Sequence, residues 1–235
     1  TMKEALHYTL SQDVDLAIKN GTYIPSVSSQ VGVVYGLGIG DDGSGIPIPL
    51  KSYYLSGKLK SKIESNFQHR DIDSQLTDVT TIKGYYLASD FITKLLDHYI
   101  TKKIRNTWQV NTHFGENWQL VGGPSASTGI VISILSALAD EEVYSNRFFT
   151  GTIDPSGVSG SINADSAGRV GIIGGTYYKG LVVQRVKEQT NPDRPFYFLF
   201  PSANLNDFSK DMVFDTFSLD EKISCIPIEN FTQAY

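Results

Sequence analysis

A single cysteine in 235 residues, Cys225 in ISCIPI, excludes an internal disulfide framework, and its apolar neighbours mark it as a core residue. No stretch approaches the roughly 18 apolar residues that a membrane-spanning helix needs. The opening TMKEALHYTL does not read as a signal peptide. The expectation is a cytoplasmic protein with no membrane segment in this chain. Positive charge is scarce as well. Twenty Lys and Arg against 25 Asp and Glu leave a net charge of −5. The nearest approach to a basic cluster, KLKSK at 58–62, reads as a solvated edge or loop, so no nucleic-acid partner is expected.

Metal and phosphate signatures are missing too. The four histidines, His7, His69, His98 and His113, are widely spaced, with no HExxH and no cysteine partner, so neither a metal nor a cofactor is expected. GIPIPLKS (45–52) ends like a Walker motif but lacks the glycine before the lysine. Its prolines also remove amide donors that a phosphate loop needs. RVGIIGG (169–175) has glycines, but not in the GxGxxG order of a dinucleotide fold.

What is present is an ordinary globular composition, 40% apolar and 19% charged, in a chain long enough to bury a substantial core. LSQDVDLAIKNG reads as a short N-terminal helix with Gly21 as its stop. VGVVYGLGIG (31–40) reads as a strand, and IPIPLKSYYLSGKL as a strand whose prolines argue against a central position. Ala88, Phe91, Ile92, Leu95, Leu96, Tyr99, Ile100 and Ile104 recur at spacings of three and four, predicting a helix over 84–105 with one buried stripe. WQVNTHF (108–114) alternates as a strand. Ser127 to Leu138 is nearly all apolar and predicts a central helix. FFTGTI (148–153) and RVGIIGG predict strands flanking a loop rich in Gly, Ser and Asp. YYKGLVVQRVKEQ predicts a helix, PFYFLFP (195–201) a buried strand, and ISCIPI (223–228) the last strand. This alternation predicts an α/β fold of layered mixed sheets with packed helices, in a single domain with no linker between 31 and 235.

The chemistry gathers at GGPSASTG (122–129). Two glycines and a proline ahead of small hydroxyl residues start a helix, and they also hold a serine hydroxyl at its N-terminus. The stretch is not the GxSxG elbow of the hydrolases, although His113 folding back toward Ser125 stays open as a base. A lysine is the alternative base, provided it is kept neutral by apolar burial away from carboxylates. Lys179, in GIIGGTYYKGLVVQ, has no acid within eight residues on either side. The bland alternatives are a capping serine and an exposed first-turn lysine.

The run GPSASTGIVISILSAL, then FFTGTI, then GRVGIIGGTYYKG resembles the proteolytic domain of Lon proteases, which are Ser/Lys-dyad peptidases. The similarity covers roughly residues 31–232 and is thin between 41 and 107. VGVVYGL, WQVNTHF, FLFP and CIPIENF look like that family's flanking strands. The resemblance implies a Lon-like Ser/Lys protease domain at 31–235 after a helical extension at 1–30. Ser125 falls on the nucleophile and Lys179 on the dyad lysine. Thr150 and Gly151 fall on the family's TG pair, and Gly174 and Gly175 on its glycine pair. It implies an acyl-enzyme endopeptidase in which Thr150 holds the lysine amine. Gly122, Gly123, Pro124 and Ala126 would form the substrate and oxyanion loop, with backbone N–H groups at the start of the 127–138 helix as donors.

The departures are specific. Ser127 replaces a glycine and becomes a rival nucleophile, Gly122 replaces an acid, Thr152 replaces a glutamate, and a loop is inserted at 154–168. No ATPase module is present in the sequence. An active peptidase of this kind would have lost its unfoldase, borrow a separate ATPase, or be excised from a larger protein. The implied partners are a protein or peptide substrate and a ring-shaped homo-oligomer. The rival functions are a viral-type polyprotein-processing protease that releases itself from a precursor, in the host cytoplasm, and a non-catalytic Lon-like binding or assembly domain.

Overall fold

The computed structural model describes residues 27–39, 45–56, 84, 87–88, 90–92, 94–95, 108–114, 123–154, 168–206 and 222–234. The expected N-terminal helix, Gly122, and nearly all of the 154–168 insertion lie outside the described residues. The architecture is mixed α/β. Strands β1 (Gln30–Val31), β2 (Val33–Ile39), β3 (Gly45–Ser56) and β4 (Trp108–Phe114) come first. Helix α1 (Ser127–Ala139), β5 (Glu142–Val143), β6 (Arg147–Phe149), β7 (Thr152–Ile153) and β8 (Val170–Gly171) follow. Helix α2 (Thr176–Thr190), β9 (Tyr197–Pro201) and β10 (Ser224–Ile228) complete the order.

Six strands form one sheet in the order β10-β9-β6-β2-β3-β4. β10, β9, β6 and β2 are parallel to one another, while β3 is antiparallel to both β2 and β4. Period-two alternation assigns the faces. Val34, Leu50, Phe149 and Leu199 join α1 in one core. Val33, Tyr35, Leu37, Phe148, Phe198 and Phe200 join α2 in the other. A sheet covered on both faces explains why PFYFLFP is apolar without alternation. Phe148, Phe149, Phe198 and Phe200 are fully buried, each contributing about 2–3 kcal/mol of transfer free energy. The Phe148 ring centroid sits 6.0 Å from those of both Tyr35 and Phe196, so its ring ties β2 and β6 to the residue that leads into β9.

The expectation that prolines keep the third strand from the centre needs correction, because β3 has partners on both sides. Its β2 pairing covers Gly45 to Lys51, whereas its β4 pairing begins only at Leu50. Pro47 and Pro49 therefore lie where only β2 is paired among the described strands. Two residues apart, their missing N–H groups fall on one edge. The strand is central where it lacks proline and one-sided where it has it.

FFTGTI is not one strand. β6 stops at Phe149 and β7 starts at Thr152 in a separate two-stranded pairing with β8. Thr150 N–H still makes the last β6–β9 bond, to Leu199 C=O at 3.0 Å, but Gly151 N–H turns to Ser125 C=O at 2.8 Å and so leaves the ladder. RVGIIGG is likewise a strand only at Val170–Gly171. In the 84–105 stripe, the described residues are helical, with Ala88, Phe91 and Ile92 buried against α1; its second half lies outside the described residues.

α1 is buried nearly all round, from Ser127 to Ile134 and again at Ser136 and Ala137. Its two inner serines are not stray polar groups. Ser133 Oγ donates to Gly32 C=O and reaches Ser52 Oγ, both at 2.7 Å, and Gly32 N–H donates to Ser136 Oγ at 2.8 Å. With Ser52 N–H of β3, which also donates to Gly32 C=O at 2.8 Å, they satisfy the break between β1 and β2 and so anchor the helix against the sheet. That anchor fixes where the N-terminus of α1 points.

Candidate active site

Ser125 is presented by a 3-10 turn, Pro124–Ala126, that runs directly into α1. Gly123 enters this turn at φ 85° and ψ 154°, a conformation open in practice to glycine; Cβ space is not the reason, since nothing lies within 4 Å of it. Pro124 at the first position supplies a preset φ and has no N–H to waste. The Ser125 side chain is half-buried.

Lys179 arrives from the opposite side. It occupies the first turn of α2, whose start is Gly175 in the left-handed conformation at φ 66° and ψ 29°. Lys179 N–H donates to Gly175 C=O at 3.0 Å, which fixes the turn. The side chain is only 5% exposed, so this is not the solvent-facing lysine of the bland alternative. Its Nζ lies 2.8 Å from Ser125 Oγ and donates to Thr150 Oγ1 at 3.1 Å. The Thr150 hydroxyl, fully buried, in turn points at Ser125 C=O, 3.4 Å away. Three residues separated by 25, 29 and 54 positions thus close a ring of polar contacts.

Burial lowers the Lys179 pKa from its ordinary 10.5 to about 8. The positive end of α2 acts in the same direction, since a cation near a helix N-terminus is disfavoured. No carboxylate among the described residues offsets either effect. At pH 7.4 roughly one amine in five is then neutral, against about one in a thousand for a free lysine.

Ser127 is held elsewhere. Its hydroxyl donates to Pro124 C=O at 2.7 Å, the side chain is 1% exposed, and Gly84 closes over it so tightly that a Cβ there would stand 2.5 Å from Ser127 Oγ. It serves as a turn-stabilising hydroxyl and does not face Lys179. The N–H groups at the start of α1 also need correction as oxyanion donors: Ser127 N–H goes to Pro124 C=O and Thr128 N–H to Gly151 C=O. Ser125 N–H, in the first turn and without an intrahelical acceptor, is the donor left for that task. His113 lies in β4, in register with Lys51 of β3.

One contributor has no signal in the local sequence. Asn204, fully buried in the 3-10 turn Ser202–Asn204 after β9, accepts from Ile173 N–H at 3.0 Å and donates to Ile173 C=O at 2.8 Å. An asparagine in FPSANL reads as a turn residue; its partner, 31 positions away, becomes visible only in the fold.

Among the described residues, no group of His, Cys, Asp and Glu is placed to hold a metal, and no helix is long and apolar enough to cross a membrane. The fold and site define a mixed α/β chain with a half-buried serine hydroxyl set against a buried, carboxylate-free lysine amine. No family model and no curated protein matches the chain.

Proposed function

We propose that the chain is a serine endopeptidase in which Lys179 is the general base for Ser125, within a fold of the Lon proteolytic-domain kind. The observation that carries this reading is the 2.8 Å approach of a buried lysine amine, with no carboxylate partner among the described residues, to the hydroxyl of a half-buried serine. A purely structural lysine gains nothing from such a place, since burying an amine without a counter-charge costs stability.

The neutral Lys179 amine accepts the Ser125 hydroxyl proton while one of its own N–H groups stays on Thr150 Oγ1. Ser125 Oγ adds to the peptide carbonyl carbon, and the carbonyl oxygen takes the negative charge facing Ser125 N–H and the positive end of α1. The C–N bond breaks as protonated Lys179 delivers its proton to the leaving amine, leaving an acyl-Ser125 ester. Lys179 then takes a proton from water, the hydroxide equivalent adds to the ester, and the carboxylic product leaves with Ser125 reprotonated. No other group is required.

Two measurements test this. A serine-directed phosphonate is expected to label the protein and its Ser127→Ala variant but not Ser125→Ala; labelling that survives in Ser125→Ala sinks the assignment. Because only the neutral amine acts as base, peptide hydrolysis is expected to rise with pH through a midpoint of about 8. The increase between pH 7 and 9 should be about tenfold. A rate that is flat over that range, or falls, removes Lys179 as the base.

A further inference from the structure

The chain between β8 and α2 reads Ile172-Ile173-Gly174-Gly175, and Ile173 within it lies in neither a strand nor a helix. Ile173 is buried, so its N–H and C=O need partners that the local sequence does not supply. Asn204 supplies both at once, with 3.0 and 2.8 Å contacts from a side chain that is itself fully buried. A carboxamide is suited to this because one head both donates and accepts. Two residues beyond Ile173 stands the left-handed Gly175, and its carbonyl receives Lys179 N–H. The clamp therefore sits at the point where the chain is aimed into α2. Gly174 and Gly175 are both exposed and could not resist a displacement by packing.

We propose that Asn204 is a positioning residue for Lys179: by holding both polar groups of Ile173 it fixes the start of α2, and so keeps the lysine amine against Ser125 and Thr150 and away from water. Its consequence for catalysis rests on the Ser125/Lys179 reading; its consequence for the placement of the amine does not. The groups facing that amine are the Ser125 and Thr150 hydroxyls, and no carboxylate among the described residues competes for it. Loosening the start of α2 lets water reach Nζ, which restores the cation and spoils its alignment together. A shift of about 1 Å at such a pair costs roughly 100-fold in rate.

The experiment compares the full chain with its Asn204→Ala and Asn204→Ser variants, the serine keeping one hydrogen bond in case alanine prevents folding. The Lys179 amine is titrated through its 13Cε resonance in lysine-labelled protein, with the signal assigned by its loss in Lys179→Met. The expected result is a midpoint that rises from about 8 toward 10.5 in the variants. Alongside it, kcat for a peptide substrate should fall by about 10- to 100-fold while KM changes by less than about threefold. A folded variant whose Lys179 midpoint stays where it was in the parent overturns the proposal, whatever its activity. A raised midpoint in a protein without peptidase activity supports Asn204 as the clamp and overturns the peptidase reading instead.

Discussion

On the proposed Ser125/Lys179 reading, replacing Lys179 with methionine is expected to abolish peptide cleavage and yet to make the protein more stable at neutral pH. Methionine has nearly the same length and fits an apolar slot, so it fills the volume without the charge. Folding moves the lysine pKa from 10.5 down to about 8, so the unfolded chain binds this proton more tightly than the native one. Stability therefore rises with pH between the two values, and the whole penalty, about 3 kcal/mol, is present below pH 8. Methionine removes it. Against that gain stand the contacts to Ser125 Oγ and Thr150 Oγ1, each worth about 1 kcal/mol.

The net expectation for Lys179→Met is a gain of about 1–2 kcal/mol at pH 7, or roughly 2–8 °C in Tm for a domain of this size. The gain should shrink as pH rises, vanish near about pH 9 where the remaining penalty equals the two lost contacts, and turn into a loss of about 2 kcal/mol above 10.5, where native and unfolded lysine are both neutral. Activity should fall by at least about 1000-fold, as when the base of an acyl-transfer pair is removed. Thermal melts at pH 7 and pH 10.5, with peptide hydrolysis on the same samples, decide the matter. A variant that is less stable at pH 7 contradicts the burial argument. A variant that keeps its activity contradicts the base. A lysine that costs stability where it sits, beside a serine hydroxyl, is what the Ser125/Lys179 proposal requires of its base.

Much of this arrangement was legible before any coordinates, and the reasons are local. α1 and α2 announce themselves by apolar content and spacing, and their starts by Gly-Pro and Gly-Gly. The pairing of Ser125 with Lys179 is an expectation of the resemblance to Lon proteolytic domains, since nothing in either helix alone points to the other. What stayed hidden depends on partners far along the chain. FFTGTI reads as one strand because propensity cannot register that Gly151 answers to Ser125 and not to β9. Pro47 and Pro49 read as an edge because sequence does not say where β4 begins its pairing. Ser127, two residues after Ser125, is its rival by residue type alone. It is the turn, which aims one hydroxyl at Lys179 and folds the other onto Pro124 C=O, that separates them.

Gly151→Ala is expected to damage the site more than its size suggests, because this residue joins the Ser125 turn to Thr150, the residue that follows β6. Its N–H donates to Ser125 C=O at 2.8 Å and its C=O accepts Thr128 N–H at 3.1 Å, so it grips the start of α1 on both sides. A Cβ there would collide with Thr128 Oγ1 and Val170 Cγ1. The backbone also stands at φ 155°, where a side chain is strained. Thr128 Oγ1 is already buried without a hydrogen-bond partner, so no polar contact is lost if it moves, but the packed helix behind it leaves nowhere to go. The relief left to the chain is to withdraw residue 151 from Ser125, which carries Thr150 Oγ1 off the lysine amine. The expected cost is about 2–3 kcal/mol in stability, the range for overpacking a core, together with about 100-fold in kcat from misalignment. Trimming the obstruction in Gly151→Ala/Thr128→Ala/Val170→Ala should return part of the lost kcat even though two small cavities hold stability down. Chemical denaturation and steady-state kinetics on the single and triple variants separate the two effects. If Gly151→Ala retains full kcat, the link from residue 151 to the Ser125–Thr150–Lys179 ring is not what aligns it.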